Sequence, residues 1–73
     1  VKYTYMELID EVGHDFYRSE DENKEVLKRW SQTNGWIEAW PFEYLTDLTR
    51  YVTSTRDAGE QVSYTEVTED DVR

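Results

Sequence analysis

Tyr3-Thr4-Tyr5-Met6-Glu7-Leu8-Ile9-Asp10-Glu11-Val12-Gly13-His14-Asp15-Phe16 is the stretch on which the fold turns. Thr4-Tyr5-Met6-Glu7 has the form of a helix capping box. In such a box the threonine hydroxyl accepts from the Glu7 amide, and the Glu7 carboxylate reaches back to the Thr4 amide. Tyr3 and Leu8 occupy the staple positions on either side of it. Leu8, Ile9, Val12 and Phe16 then recur at helical spacing. This reading predicts a first helix over residues 5–12. Gly13 either ends it near residue 12, the preferred reading, or is tolerated inside it at about 1 kcal/mol relative to alanine. A short turn through His14 to Arg18 follows.

Working outward, Ser19-Glu20-Asp21-Glu22 repeats the capping-box pattern and places three acids where a helix dipole favours them. Lys24, Lys28 and Arg29 come later, where the dipole favours cations. Val26, Leu27 and Trp30 supply an apolar stripe, and Asn34-Gly35 offers a left-handed stop. A second helix is predicted here. Trp36-Ile37-Glu38-Ala39-Trp40 is open between a short helix, a 3₁₀ turn and an extended connector. Pro41 suits the first position of a third helix, where its missing N–H goes unneeded. Tyr44, Leu45, Leu48, Tyr51 and Val52 continue that helix to about residue 53.

Beyond Val52 the composition changes. Residues 53–73 hold no Leu, Ile, Phe or Trp. Val62 and Tyr64 alternate with polar residues, so a weak strand at 61–65 is conceivable, but it has no partner strand in this reading. A segment so poor in apolar area does not offset its ordering entropy. The expected fold is therefore all-α: a small three-helix domain over residues 1–53, then a disordered acidic tail over residues 54–73.

Seventeen acids against eight Lys and Arg give the 73-residue chain a formal charge of −9. Like-charge repulsion then disfavours nucleic-acid phosphates and anionic membranes as direct partners. A basic protein surface is the expected target. The absence of cysteine excludes disulfides and thiolate metal sites. No apolar run approaches the ~20 residues that span a bilayer, and the N-terminus lacks the pattern of a secretory signal. The chain is read as a cytoplasmic monomer.

No constellation points to catalysis. His14, the single histidine, stands beside Asp15 with no Cys nucleophile and no serine in a distinctive setting. It reads as a polar turn residue, and no enzyme, catalytic residue or cofactor is expected. Neither Glu7-Asp10-Glu11 nor Glu20-Asp21-Glu22-Glu25 has the alternation, central glycine and terminal glutamate of a calcium loop, so no metal site is expected. The first acidic run is a solvated helix face or a contact surface for a basic partner. Three tryptophans within eleven residues exceed what so small a core usually takes. Trp30 reads as core. Tryptophan and tyrosine are also the residues most enriched in interface hot spots, so Trp36 and Trp40, with Tyr3 and Tyr5, join Glu7, Asp10 and Glu11 as candidate partner-binding residues.

With a helical front half from Tyr3 to about Val52 and a tail ending in Glu69-Asp70-Asp71, the chain resembles small phage-encoded regulators of host transcription. That resemblance is one of profile and rests on no specific motif. It implies host RNA polymerase as partner, inhibition of transcription initiation or modulation of termination, and no enzymatic activity. A DNA-mimic antagonist of a DNA-binding protein and a small structural or assembly subunit are the alternatives.

Overall fold

Leu8 and Ile9 are neighbours in sequence, yet Leu8 is 3% exposed and Ile9 41%. That contrast marks a strand with one face buried, because successive strand side chains point to opposite sides. In the computed structural model, which describes residues 1–72, the chain forms β1 (Tyr3–Asp10), β2 (His14–Glu20), β3 (Leu27–Ser31) and β4 (Gly35–Glu38). There follow α1 (Leu45–Asp57), β5 (Val62–Val67) and a 3₁₀ turn over Glu69–Val72. The five strands make one antiparallel sheet in the order β4-β3-β2-β1-β5.

The all-α, three-helix expectation is thus overturned. The groups read as helix caps serve the sheet. Thr4 Oγ1 donates to Asp21 Oδ1 at 2.6 Å, across the end of the β1–β2 pair. Glu7 holds His14 Nε2 at 2.9 Å from the neighbouring strand. Ser19, taken as the cap of a second helix, is buried in β2 opposite Thr4. Leu27 and Trp30, taken as one helical stripe, lie on opposite faces of β3 by strand alternation. Asn34-Gly35, taken as a helix stop, closes the β3–β4 hairpin. Gly35 has φ +74°, a conformation that glycine adopts without a Cβ penalty.

One expected helix is present, but shifted. It starts at Leu45, four residues after Pro41, and runs to Asp57. The Trp40–Pro41 peptide is cis. Asp47 organises the start of α1: its Oδ2 accepts from the Glu43 and Tyr44 amides at 3.2 and 3.0 Å. A carboxylate here also meets the positive end of the helix dipole.

Leu48 and Val52 of α1 pack on Met6, Leu8, Tyr17, Leu27 and Ala39, with Phe42, Leu45, Tyr51, Val62 and Tyr64 around them. This is one face of the sheet. Burial, reinforced by the nearby Asp15 carboxylate, pushes the Tyr17 hydroxyl up to about 12.

Over residues 54–72 the expected disordered tail is also overturned, and Arg73 lies outside the described residues. β5 lies along β1 in register from Tyr5↔Val67 to Asp10↔Val62. Val62 and Tyr64 pack against the core, and Val72 is buried. The segment has a partner strand after all, because β1 is a strand.

Candidate functional site

The face of the sheet turned away from α1 carries an unusual set of side chains. Alternation puts Tyr3, Tyr5, Glu7 and Ile9 of β1 there, and the register adds their partners Glu20, Arg18, Phe16 and His14 of β2. Lys28, paired with Arg18, and then Trp30, Trp36 and Glu38 extend the face across β3 and β4. Val67 and Thr65, opposite Tyr5 and Glu7, complete it on β5.

The rings on this face touch. Tyr3 and Tyr5 have centroids 6.2 Å apart, and Trp30 and Trp36 stand edge to face at 5.3 Å. Tyr5 and Trp36 are 5.7 Å apart although β2 and β3 separate their strands. Three inter-strand steps of ~4.8 Å put the two strands ~14 Å apart, so the side chains reach toward each other over the intervening strands. Arg18 lies beneath them. Its guanidinium carbon is 4.0 Å from the Tyr3 ring centre and 4.7 Å from that of Trp36. Both are cation–π distances, worth about 0.5–2 kcal/mol each according to how dry the contact is. Arg18 Nε is buried with no hydrogen-bond partner among the described residues. The planar rings take the place of acceptors around it.

Of the residues singled out from sequence, the structure brings Tyr3, Tyr5, Glu7 and Trp36 onto this one face. Glu7 is engaged with His14, whose ring lies 4.9 Å from Phe16. Asp10 and Glu11 do not join them. Asp10 accepts from the Val12 and Gly13 amides in the β1–β2 turn and from the Tyr51 hydroxyl at 2.7 Å. The Tyr51 hydrogen bond leads in holding its carboxyl below the ordinary range, against the opposing effect of burial. Asp10 is a structural tie between the hairpin and α1. Glu11 is exposed in the turn beyond. With Ile9, Asp10, Arg56 and Glu60 it lines an open concavity of about 620 Å³.

Trp40 is a separate case. It is 82% exposed, in the loop after β4. It borders a groove of about 480 Å³ lined also by Glu25, Val26, Leu27, Lys28, Glu38, Ala39, Pro41, Phe42 and Glu43. Lys28 and Glu38 also belong to the aromatic face, so the groove adjoins it. The antiparallel order places this groove at the opposite end of the strands from the concavity at Glu11.

Sequence reasoning missed Arg18, Lys28 and Phe16 and assigned Trp30 to the core. The spacing Phe16-x-Arg18, Lys28-x-Trp30 and Trp36-x-Glu38 was the available signal, legible only once these segments are read as strands. Lys28 and Arg29, read as helix-dipole partners, point to opposite faces, with Arg29 3.8 Å from Asp15. Among the described residues no three carboxylates or imidazoles converge as a metal site, and no helix is long and apolar enough to cross a membrane.

Comparison with protein-family models, with characterised proteins and with solved structures gives no match.

Proposed function

We propose that this protein is a non-enzymatic binding module that docks a protein partner on the aromatic face of its sheet. One observation carries the reading: Tyr3, Tyr5, Trp30 and Trp36 form a continuous ring cluster around Arg18, on the side of the sheet that α1 does not cover. Trp, Tyr and Arg are the three residue types most enriched in interface hot spots. Their mutual contacts hold the side chains in place before binding, which lowers the entropy lost on association. Glu7, Glu20, Glu38, Lys28 and His14 surround the rings as a polar rim, the usual anatomy of a non-obligate interface.

The overall charge of −9 favours approach to a basic surface and opposes nucleic acid. The resemblance to phage-encoded transcription regulators makes bacterial RNA polymerase the first partner to test. A salt-sensitive complex with purified polymerase is expected at micromolar concentration. If none forms at low salt, affinity capture from a bacterial lysate, with identification by mass spectrometry, takes polymerase's place. With the partner in hand, Tyr5→Ala and Trp36→Ala should each weaken binding at least about tenfold, or ~1.4 kcal/mol. Arg50→Ala, exposed on α1, should not. Equal effects from all three variants would remove the aromatic face from the interface.

A further inference from the structure

We propose that the groove beside Trp40 receives an arginine side chain from a basic segment of the partner protein. The proposal rests on the reading of this chain as a protein-binding module and names one contact it would make.

Three observations converge on an arginine. Trp40 is a large aromatic left 82% exposed. Indole in water is the best ring face for a cation, and a guanidinium stacks on it through its plane. Glu25, Glu38 and Glu43 line the same groove, against Lys28 alone. Three carboxylates against one ammonium leave it net negative. None of the three carboxylates is in an ion pair among the described residues; Glu43 is engaged by the Tyr44 hydroxyl, whose pKa it raises. Last, Val26, Leu27, Ala39, Pro41 and Phe42 give the groove an apolar wall. An arginine side chain has the matching profile, with an apolar stem and a planar cationic head that pairs with carboxylates two bonds at a time. At about 480 Å³ the groove has room for that side chain and the adjoining backbone.

Continuity with the aromatic face supports the same occupant. Lys28 and Glu38 are cross-strand partners on that face and also border the groove. A partner lying on the rings would meet the groove at the β3–β4 end of its footprint, and its arginine would be the peripheral, charge-matched contact beside a central aromatic one.

The probe is the capped peptide acetyl-Gly-Arg-Gly-Arg-Gly-amide, titrated into the full chain while the three tryptophan indole N–H signals are followed by NMR. The Trp40 signal is expected to shift and saturate, with Trp30 and Trp36 nearly still. The same peptide with citrulline in place of arginine keeps the shape, loses the charge and should leave Trp40 unmoved. Trp40→Ala, read from backbone amides of residues 38–43, and the double variant Glu38→Gln with Glu43→Gln should each weaken binding by about fivefold. The double variant Glu11→Gln with Asp57→Asn makes the same change in net charge elsewhere and should weaken it by less than about twofold. All these positions are exposed, so the fold is kept and is checked by the dispersion of the amide spectrum. Equal response to the citrulline peptide, or equal loss from the two charge variants, overturns the proposal. So does a Trp40 signal that never moves. Peptide binding at Trp40 together with a partner complex indifferent to Tyr5→Ala and Trp36→Ala would uphold the groove and sink the aromatic-face reading. A partner complex that needs those rings, with a silent groove, would do the reverse.

Discussion

Replacing Leu8 and Val12 by alanine, one at a time, separates a strand from a helix in the first sixteen residues. The two positions are four apart, so a helix would stack them on one buried stripe and both substitutions would hurt. In the sheet their fates diverge. Leu8 is 3% exposed, packed in the cluster with Met6, Leu48 and Val52, whereas Val12 sits in the β1–β2 turn at 92% exposure. Truncating a buried leucine costs about 2–5 kcal/mol, more where the surroundings cannot collapse. β1 is held by β2 on one side and β5 on the other, with α1 above, so the upper half, about 3–5 kcal/mol, is expected. A 73-residue fold has roughly 4–11 kcal/mol of stability in all. Leu8→Ala should therefore lower Tm by at least about 12 °C or unfold the chain outright. Leu8→Val, at about 1 kcal/mol, keeps the comparison measurable. Val12→Ala should stay within about 0.5 kcal/mol of the parent. Urea unfolding followed by tryptophan fluorescence and far-UV circular dichroism gives both numbers by linear extrapolation. A Val12→Ala cost matching that of Leu8→Ala would refute the sheet register, as would a Leu8→Ala cost below about 1 kcal/mol.

Three further outcomes follow from particular contacts. Tyr51→Phe removes the hydroxyl that donates to Asp10 and should cost about 1–2 kcal/mol at pH 7. Because the folded Asp10 pKa is depressed below its ordinary 3.8, that stabilisation is present above this value and fades as pH falls through the folded one. Urea midpoints of parent and variant should converge as pH falls below 3.8, and a gap of constant size would count against the Asp10–Tyr51 tie. Gly35→Ala, at φ +74° with only Trp30 at 3.9 Å from the new Cβ, should lose about 1–2 kcal/mol to backbone conformation alone. Gly13→Ala meets open space at ordinary φ and should be neutral or slightly stabilising, so similar thermal shifts for the two would be wrong for this backbone. Tyr64→Ala should cost about 2 kcal/mol because its ring packs against the core, whereas Thr65→Ala on the other face should cost less than about 1. If neither moves the unfolding midpoint, β5 is not docked.

The helix α1 was legible because Leu45, Leu48 and Val52 repeat at a spacing no strand uses, and they do face the core. The sheet was misread at Thr4-x-x-Glu7 and Ser19-x-x-Glu22. A capping box is a four-residue pattern, and its hydrogen bonds exist only if the chain is already helical. Thr4 found its partner seventeen residues away, at Asp21, which no local pattern encodes. The strand signals were present but divided: Tyr3-Thr4-Tyr5 is rich in strand formers, and Asn34-Gly35 is a strong hairpin signal. One error carried to another, since β5 lost its partner once β1 was read as a helix. The composition of the site was legible in Tyr3, Tyr5, Glu7 and Trp36. Their convergence was not, because it depends on the register that sets Tyr5 against Arg18.

That register also resolves an apparent conflict between an acidic chain and a cation at the centre of its candidate interface. Net charge acts at a distance, whereas binding is decided in contact. At physiological salt a charge is felt over about 8 Å, well short of the molecule's 36 × 23 × 20 Å extents. Asp57 ends α1, Glu60 follows it, and Glu69, Asp70 and Asp71 lie in the C-terminal 3₁₀ turn; these acids shape the field that a distant partner meets. A partner already on the sheet meets Arg18 and Lys28 beside Glu7, Glu20 and Glu38, a nearly balanced set around aromatic rings. Attraction to a basic protein and close packing on an Arg-centred aromatic face are therefore compatible. They belong to different stages of association, governed by different residues.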